Sequence, residues 1–357
     1  MEGFRKTTTC MLFVVISFCL RPTVIRGQDN SIGVNYGTVA DNLPPPADVV
    51  MMYRDNQINK MRIFSPDPAI LQALEMSQVQ SGIDCLNVMV GTTNEDILSL
   101  ASDVDFARQW VQTNILPYPT VCFDYITVGN EAIPGSNAHS IAPAIQNLRT
   151  ALDSFNLQRI HVSTVVSMSV IGVSYPPSLG EFSAETVADM NAVLAAIAMN
   201  DDPTTQYLMV NIYPYFSYAS NPTDIALPYA QLDDANVAAA VVDGPLSYSN
   251  LLDAMVDSFY SAMEKIDRST VRLKVSESGW PSDGNGNMTT PALAGGYNTN
   301  LKNKVANSAG TPKRPDQLIV AYVFAMFNEN QKVGTPTENH FGLFNPDKTP
   351  VYPFQFQ

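Results

Sequence analysis

The chain has 357 residues, 45% of them hydrophobic and only 15% charged, which is enough apolar material for a large core. Its formal net charge of −14 leaves no basic stripe able to displace counterions from a phosphate backbone, so nucleic-acid binding is excluded as a function class. The one compact cationic pair, Lys313-Arg314, stands between prolines and reads as a solvated loop.

At the N-terminus, Arg5 and Lys6 precede an apolar run from Met11 to Leu20, and Gly27 offers a small residue before Gln28. This pattern predicts a secretory signal peptide over residues 1–27. The run is too short for a membrane span, which needs about 20 apolar residues. Cleavage leaves the mature chain near −17 and removes Cys10 and Cys19, so Cys85 and Cys122 remain. Secretion permits a bond between them, but two buried free thiols are the expected state.

Eight strands follow in chain order, at Ile32–Asn35, Lys60–Phe64, Cys85–Val90, Phe123–Val128, His161–Val166, Leu208–Tyr213, Val271–Ser276 and Leu318–Phe324. They are near-continuous apolar runs, the pattern of strands covered on both faces. Helical stripes lie between them. Ile97, Leu98, Ala101, Val104, Ala107, Trp110 and Val111 form one. Leu251, Leu252, Met255, Val256, Phe259, Tyr260 and Met263 form another, with Ser249 as its N-cap. Roughly 40 residues per βα unit predicts a single (β/α)8 barrel over residues 28–357, with an elaborated loop after the sixth strand, from Tyr215 to Ser249. Asn287-Met288-Thr289 is a glycosylation sequon in a Gly-rich loop.

Several chemistries fall away. No G-x-S-x-G elbow, P-loop or G-x-G-x-x-G follows a strand, and His139, His161 and His340 form no zinc motif. No metal or cofactor is expected. What stands at the strand ends is carboxylates, amides and aromatics. Glu131 closes the fourth strand after Asn130, and Glu277 closes the seventh, 146 residues later, ahead of Trp280. Tyr36 ends the first strand, Tyr213 and Tyr215 follow the sixth, and Phe327, Asn328 and Glu329 follow the eighth. Carboxylates at C-terminal strand ends are rigidly carried toward the face where such barrels do chemistry. Aromatic faces suit the apolar faces of sugar rings, and amides suit their hydroxyls.

The chain resembles the plant β-1,3-glucanases of glycoside hydrolase family 17. The likeness is carried by Ile32-Gly33-Val34-Asn35-Tyr36-Gly37, Val128-Gly129-Asn130-Glu131, Val210-Asn211-Ile212-Tyr213-Pro214-Tyr215-Phe216, Val275-Ser276-Glu277-Ser278-Gly279-Trp280-Pro281-Ser282, Phe324-Ala325-Met326-Phe327-Asn328-Glu329-Asn330-Gln331-Lys332 and Phe341-Gly342-Leu343-Phe344. By that resemblance Glu131 is the general acid/base and Glu277 the nucleophile of a retaining endo-hydrolase of β-1,3-glucan. It also implies that Glu329, Lys332 and Glu338 form a charged group near the nucleophile. Asn339 departs from the basic residue usual there. Lys332 is expected to keep Glu277 ionised, Asn130 to bind the sugar 2-hydroxyl, and Tyr36, Tyr213, Tyr215, Phe216, Trp280, Phe327 and Asn328 to bind substrate or support the site. Mixed-linkage β-1,3-1,4-glucan is the alternative substrate, and a non-catalytic wall-glucan-binding protein the alternative class. A monomer released to the apoplast, with no membrane anchor and no carbohydrate-binding module after Phe356, completes the expectation.

Overall fold

The computed structural model describes residues 32–81, 85–200, 202–237, 241–307 and 310–356. The expected signal peptide therefore lies outside the described residues. Eight strands form the barrel: β1 (Gly33–Tyr36), β2 (Lys60–Ile63), β3 (Asn87–Gly91), β4 (Cys122–Asn130), β5 (His161–Ser167), β6 (Tyr207–Asn211), β7 (Arg272–Ser278) and β8 (Ala321–Val323). Each runs parallel to its neighbours in sequence, and β8 closes onto β1. The (β/α)8 barrel is the fold that the spacing of the apolar runs predicts.

Each connection from β1 to β8 carries helix. The main ones are Pro46–Asp55, Pro68–Ser81, Val104–Asn114, Ile141–Ser154, Val187–Ala198, Leu251–Lys265 and Pro291–Ala306. Two local expectations change. The stripe from Ile97 to Val111 is broken at Asp103, whose extended backbone ends Ile97–Ser102 and whose carboxylate accepts from the Asp105 N–H to cap Val104–Asn114. The cap of Leu251–Lys265 is Asn250, not Ser249: its Oδ1 accepts from Asp253 N–H at 2.9 Å.

Apolar side chains gather in three clusters, the smallest being Tyr229, Tyr248 and Ala254. The large cluster lies between strands and helices, while Met89, Tyr125, Val165, Tyr207, Met209 and Tyr322 pack together as a separate cluster in the barrel interior. Past β6 come the short helices Pro214–Ser220 and Leu227–Ala230 and a hairpin, Val241–Asp243 with Leu246–Tyr248. A second hairpin after β5, Ile171–Val173 with Glu181–Phe182, was not legible in the sequence. Ser178 ties the two elaborations together through its N–H and hydroxyl to Asp243.

The expectation of free thiols is overturned, because Cys85 and Cys122 are disulfide-bonded. The register explains it. Asn87 lies opposite Cys122 on adjacent strands, so Cys85, two residues earlier, brings its Cα to 6.1 Å from that of Cys122, within bridging range. Among the described residues no helix is long and apolar enough to cross a membrane.

Candidate active site

Both carboxylates sit where their strands break register. In β7, Lys274 and Ser276 face inward: Lys274 lies against Tyr125 on β4, and Ser276 bonds Asn211. Strict alternation would then turn Glu277 outward. Instead the pairing with β6 slips between Val275 and Glu277, setting Glu277 opposite Asn211. In β4 the slip falls between Val128 and Asn130, leaving Gly129 as the extra residue. Such irregularities re-aim side chains, and they concentrate at barrel rims and active sites.

The β4 turn also needs unusual backbone. Gly129 has φ +66°, and a Cβ there would stand 2.7 Å from Asn94 Oδ1. Glu131 has φ +53°, in the left-handed region that costs a residue with a side chain roughly 1–2 kcal/mol. Its N–H is held by Val165 O at 3.0 Å. Asn94 clamps the residue before it, accepting from Asn130 N–H at 2.7 Å and donating to Asn130 O at 3.0 Å. Glu131 thus stands on a constrained support.

One connected network joins the two glutamates across the barrel mouth. Arg62, on β2 and only 1% exposed, donates from Nη1 to Glu277 Oε1 at 2.6 Å and from Nη2 to Asn130 Oδ1 at 2.8 Å. Tyr213 donates its hydroxyl to Glu277 Oε2 at 2.7 Å. Asn211 Nδ2 donates to Glu131 Oε1 at 2.7 Å and to Glu277 Oε1 at 2.8 Å. Sharing one nitrogen, these two oxygens can be no farther apart than the two bonds laid end to end, 5.5 Å.

The surroundings separate the two carboxyls electrically. Glu277 is buried, and Arg62 and the Asn211 amide can only donate to it. Glu131 opens to solvent, yet the cleft walls desolvate its carboxyl and, with the Glu277 charge, raise its pKa above the ordinary 4.5; Asn211, Arg62 and Lys332 pull it back in part. Burial, then Glu277, holds the Tyr213 hydroxyl well above its ordinary pKa, so it remains a donor. Glu329 and Glu338 are also raised, mainly by burial.

The other expected site residues fall into distinct places. Lys332 pairs with Glu329 at 3.8 Å and sits over the Phe324 ring, so the cation in contact with Glu277 is Arg62 and not Lys332. Glu329 accepts from Val39 N–H, and a Cβ on Gly37 would meet its carboxylate at 2.3 Å. Asn339, at the departing position, donates to the carbonyls of Glu329 and Lys332 and closes that loop. Asn328 clamps Gly342 N–H and Asn345. Tyr36, Tyr215, Trp280 and Phe327 are buried, Trp280 completely, with its indole N–H on Met288 O. They support the cleft from behind rather than offering open faces. Phe216, 43% exposed and packed on Tyr213 and Phe341, is the aromatic of the set with an open face. Asn287 is exposed in the short turn Gly286–Met288.

Arg62, Asn211, Ser276 and Asn94 were missed as site residues. A buried arginine in the apolar run Lys60-Met61-Arg62-Ile63 was the available signal, since a cation in a covered strand requires a partner.

The description glycosyl hydrolases family 17 matches residues 32–356. The chain is 43% identical over 325 residues to a probable glucan endo-1,3-beta-glucosidase, BG4, of Arabidopsis thaliana, with 90% of each chain covered. It is 44% identical over 327 residues to lichenase-2 of Hordeum vulgare, covering 91% of this chain and 98% of that one. Among solved structures, CJP38, described as a beta-1,3-glucanase and allergen of Cryptomeria japonica pollen, superposes with a TM-score of 0.84 at 44% identity, over 92% of this chain and 99% of that one. A match that runs from the first strand into the C-terminal tail, on a barrel of the same shape, makes this chain a member of glycosyl hydrolases family 17 and a glycoside hydrolase.

Proposed function

We propose that this protein is a secreted, retaining endo-hydrolase of β-1,3-glucan, with Glu131 as acid/base and Glu277 as nucleophile. The observation that carries the reading is the single Asn211 nitrogen bonded to both carboxylates, which keeps one oxygen of each within 5.5 Å of the other and so supports the close spacing. Retaining enzymes hold the pair about 5–5.5 Å apart, whereas inverting ones leave about 6.5–9.5 Å for a water. Glu131, its pKa raised, protonates the departing glycosidic oxygen while Glu277 Oε attacks the anomeric carbon. The charge then on Glu131 activates a water, which takes the sugar from Glu277 and returns the proton. Arg62 and Tyr213 fix the attacking carboxylate. With its Oδ1 held by Arg62, Asn130 has its NH₂ free for the sugar 2-hydroxyl, and Phe216 offers a stacking face.

Two carboxylates and water complete this cycle without a cofactor. The N-terminal pattern supports export to the apoplast, and the single closed barrel supports one catalytic domain over residues 28–357. The names of the relatives support β-1,3-glucan as substrate. Mixed-linkage glucan is the second reading, favoured by the lichenase-2 likeness, which is as strong as that to the acidic glucan endo-1,3-beta-glucosidase of Zea mays at 44%. Wild type and Glu277→Gln on laminarin and on a mixed-linkage glucan, with product anomers followed by NMR, test both readings. Retained β-products from laminarin alone are expected. Inverted product, or near-normal turnover by Glu277→Gln, overturns the mechanism.

A further inference from the structure

Asn211 ends β6 opposite Glu277, and its amide is fully committed. The NH₂ has two hydrogens, and its two short contacts are Glu131 Oε1 at 2.7 Å and Glu277 Oε1 at 2.8 Å, with Asn130 Oδ1 farther at 3.3 Å. The amide orientation is also set. Ser276, fully buried, donates its hydroxyl to Asn211 Oδ1 at 2.8 Å. A flipped amide would lose that bond and aim its oxygen at two carboxylates.

We propose that Asn211, oriented by Ser276, is a positioning residue for both half-reactions, donating to whichever glutamate carries the negative charge. The inference rests on the catalytic assignment of Glu131 and Glu277. In the first half, the proton leaves Glu131 for the glycosidic oxygen as the Glu277–carbon bond forms and the carbon–oxygen bond to the leaving sugar breaks. One negative charge thereby passes from Glu277 to Glu131. In the second half, water gives Glu131 its proton, the water oxygen bonds the anomeric carbon, and the bond to Glu277 breaks. The charge returns. It moves between the two oxygens that Asn211 touches, so a fixed dipole serves both without reorganising. Arg62 and Tyr213 bond Glu277, whereas Asn211 bonds both carboxylates.

The charged groups around this dipole are Glu277, Arg62 and Lys332 facing Glu131, and Glu329 and Glu338 facing Glu277, with the Tyr213 hydroxyl beside both. Against the upward push of burial and the Glu277 charge, the Asn211 bond draws the Glu131 pKa down. Removing the amide therefore raises it, and the basic limb of the activity profile, where Glu131 loses its proton, moves to higher pH.

The test compares Asn211→Ala, Ser276→Ala, the double variant and Glu277→Gln on laminarin, with melting temperature as the control for folding. Asn211→Ala is expected to lower kcat about 10- to 100-fold, the range of a hydrogen bond to a charged group, with KM little changed and the basic limb shifted upward. Ser276→Ala should show a smaller loss in the same direction and add nothing in the double variant. An unmoved basic limb in Asn211→Ala, or a Ser276→Ala loss that adds fully to it, overturns the role. Should Asn211→Ala not fold, an unmoved limb in Ser276→Ala overturns it instead. An active Glu277→Gln defeats the catalytic assignment; an inactive Glu277→Gln beside a normal Asn211→Ala defeats the Asn211 role alone.

Discussion

The two ends of the barrel use the same ingredients for different purposes. Toward the N-terminal ends of the strands, the Lys274 ammonium sits 4.0 Å from the Tyr125 ring centre and 4.6 Å from that of Tyr207, with Asp124 at 3.6 Å. At the C-terminal ends, the Arg62 guanidinium sits 4.5 Å over Phe64 with Glu277 at 2.6 Å. Each is a buried cation with an aromatic contact and one carboxylate. The carboxylate beside Lys274 is half-buried at the rim and, among the described residues, bonded to no second acid. The carboxylate beside Arg62 is tied through Asn211 to a second one that opens to the cleft. The proposed chemistry lies at the second of these ends because the βα loops, which bring Tyr213, Glu329 and Lys332, meet only at the C-terminal face.

Variants at the two cations and their partners can break that division. The largest effect is expected for Glu277→Gln, with kcat down about a thousandfold or more while the fold persists. Glu131→Ala should lose comparable activity on laminarin and recover turnover with azide and an activated aryl glucoside; a folded variant without rescue contradicts the acid/base role. Arg62→Lys keeps the charge but loses the fork that holds Glu277 and Asn130 together, so kcat should fall about 10- to 100-fold. Replacing Cys85 and Cys122 by serine opens a 37-residue closure and should cost about 2–4 kcal/mol in denaturant unfolding while activity at 25 °C persists. Lys274→Met should be mildest: activity within about twofold, and stability within about 1 kcal/mol, because lost cation–π contact is offset by relief of burying the ammonium. If Lys274→Met lowered kcat as Arg62→Lys does, the two ends would not be functionally distinct.

The pH profile sharpens the same contrast. The proposed mechanism needs Glu131 protonated, and its pKa is raised above 4.5, so the basic limb should lie above the ordinary glutamate value. Glu277→Gln removes the charge that helps raise it, so the Glu131 carboxyl of that variant should titrate at lower pH than in wild type, followed by carboxyl-carbon NMR.

Much of this was legible in one dimension. The eight covered strands appear as apolar runs because a strand buried on both faces has little room for polar side chains. Glu131 and Glu277 stand out because a carboxylate directly after such a run is unusual. The two cysteines were misread because bridging depends on register, and nothing local shows that Asn87 faces Cys122. Whether Trp280, Tyr215 and Phe327 bind substrate or support the site stayed open in the sequence, because it shows an aromatic but not which side of it is covered.

The order of strands and helices, and the carriage of two glutamates at strand ends, were determined by the sequence alone, since both follow from local periodicity. The tertiary structure decided their relation: the register slips at Gly129 and Ser276 that turn both side chains inward, and the Arg62–Asn211–Tyr213 contacts made across the barrel mouth. These depend on residues far apart in sequence meeting at bonding distance, which only closing the barrel brings about.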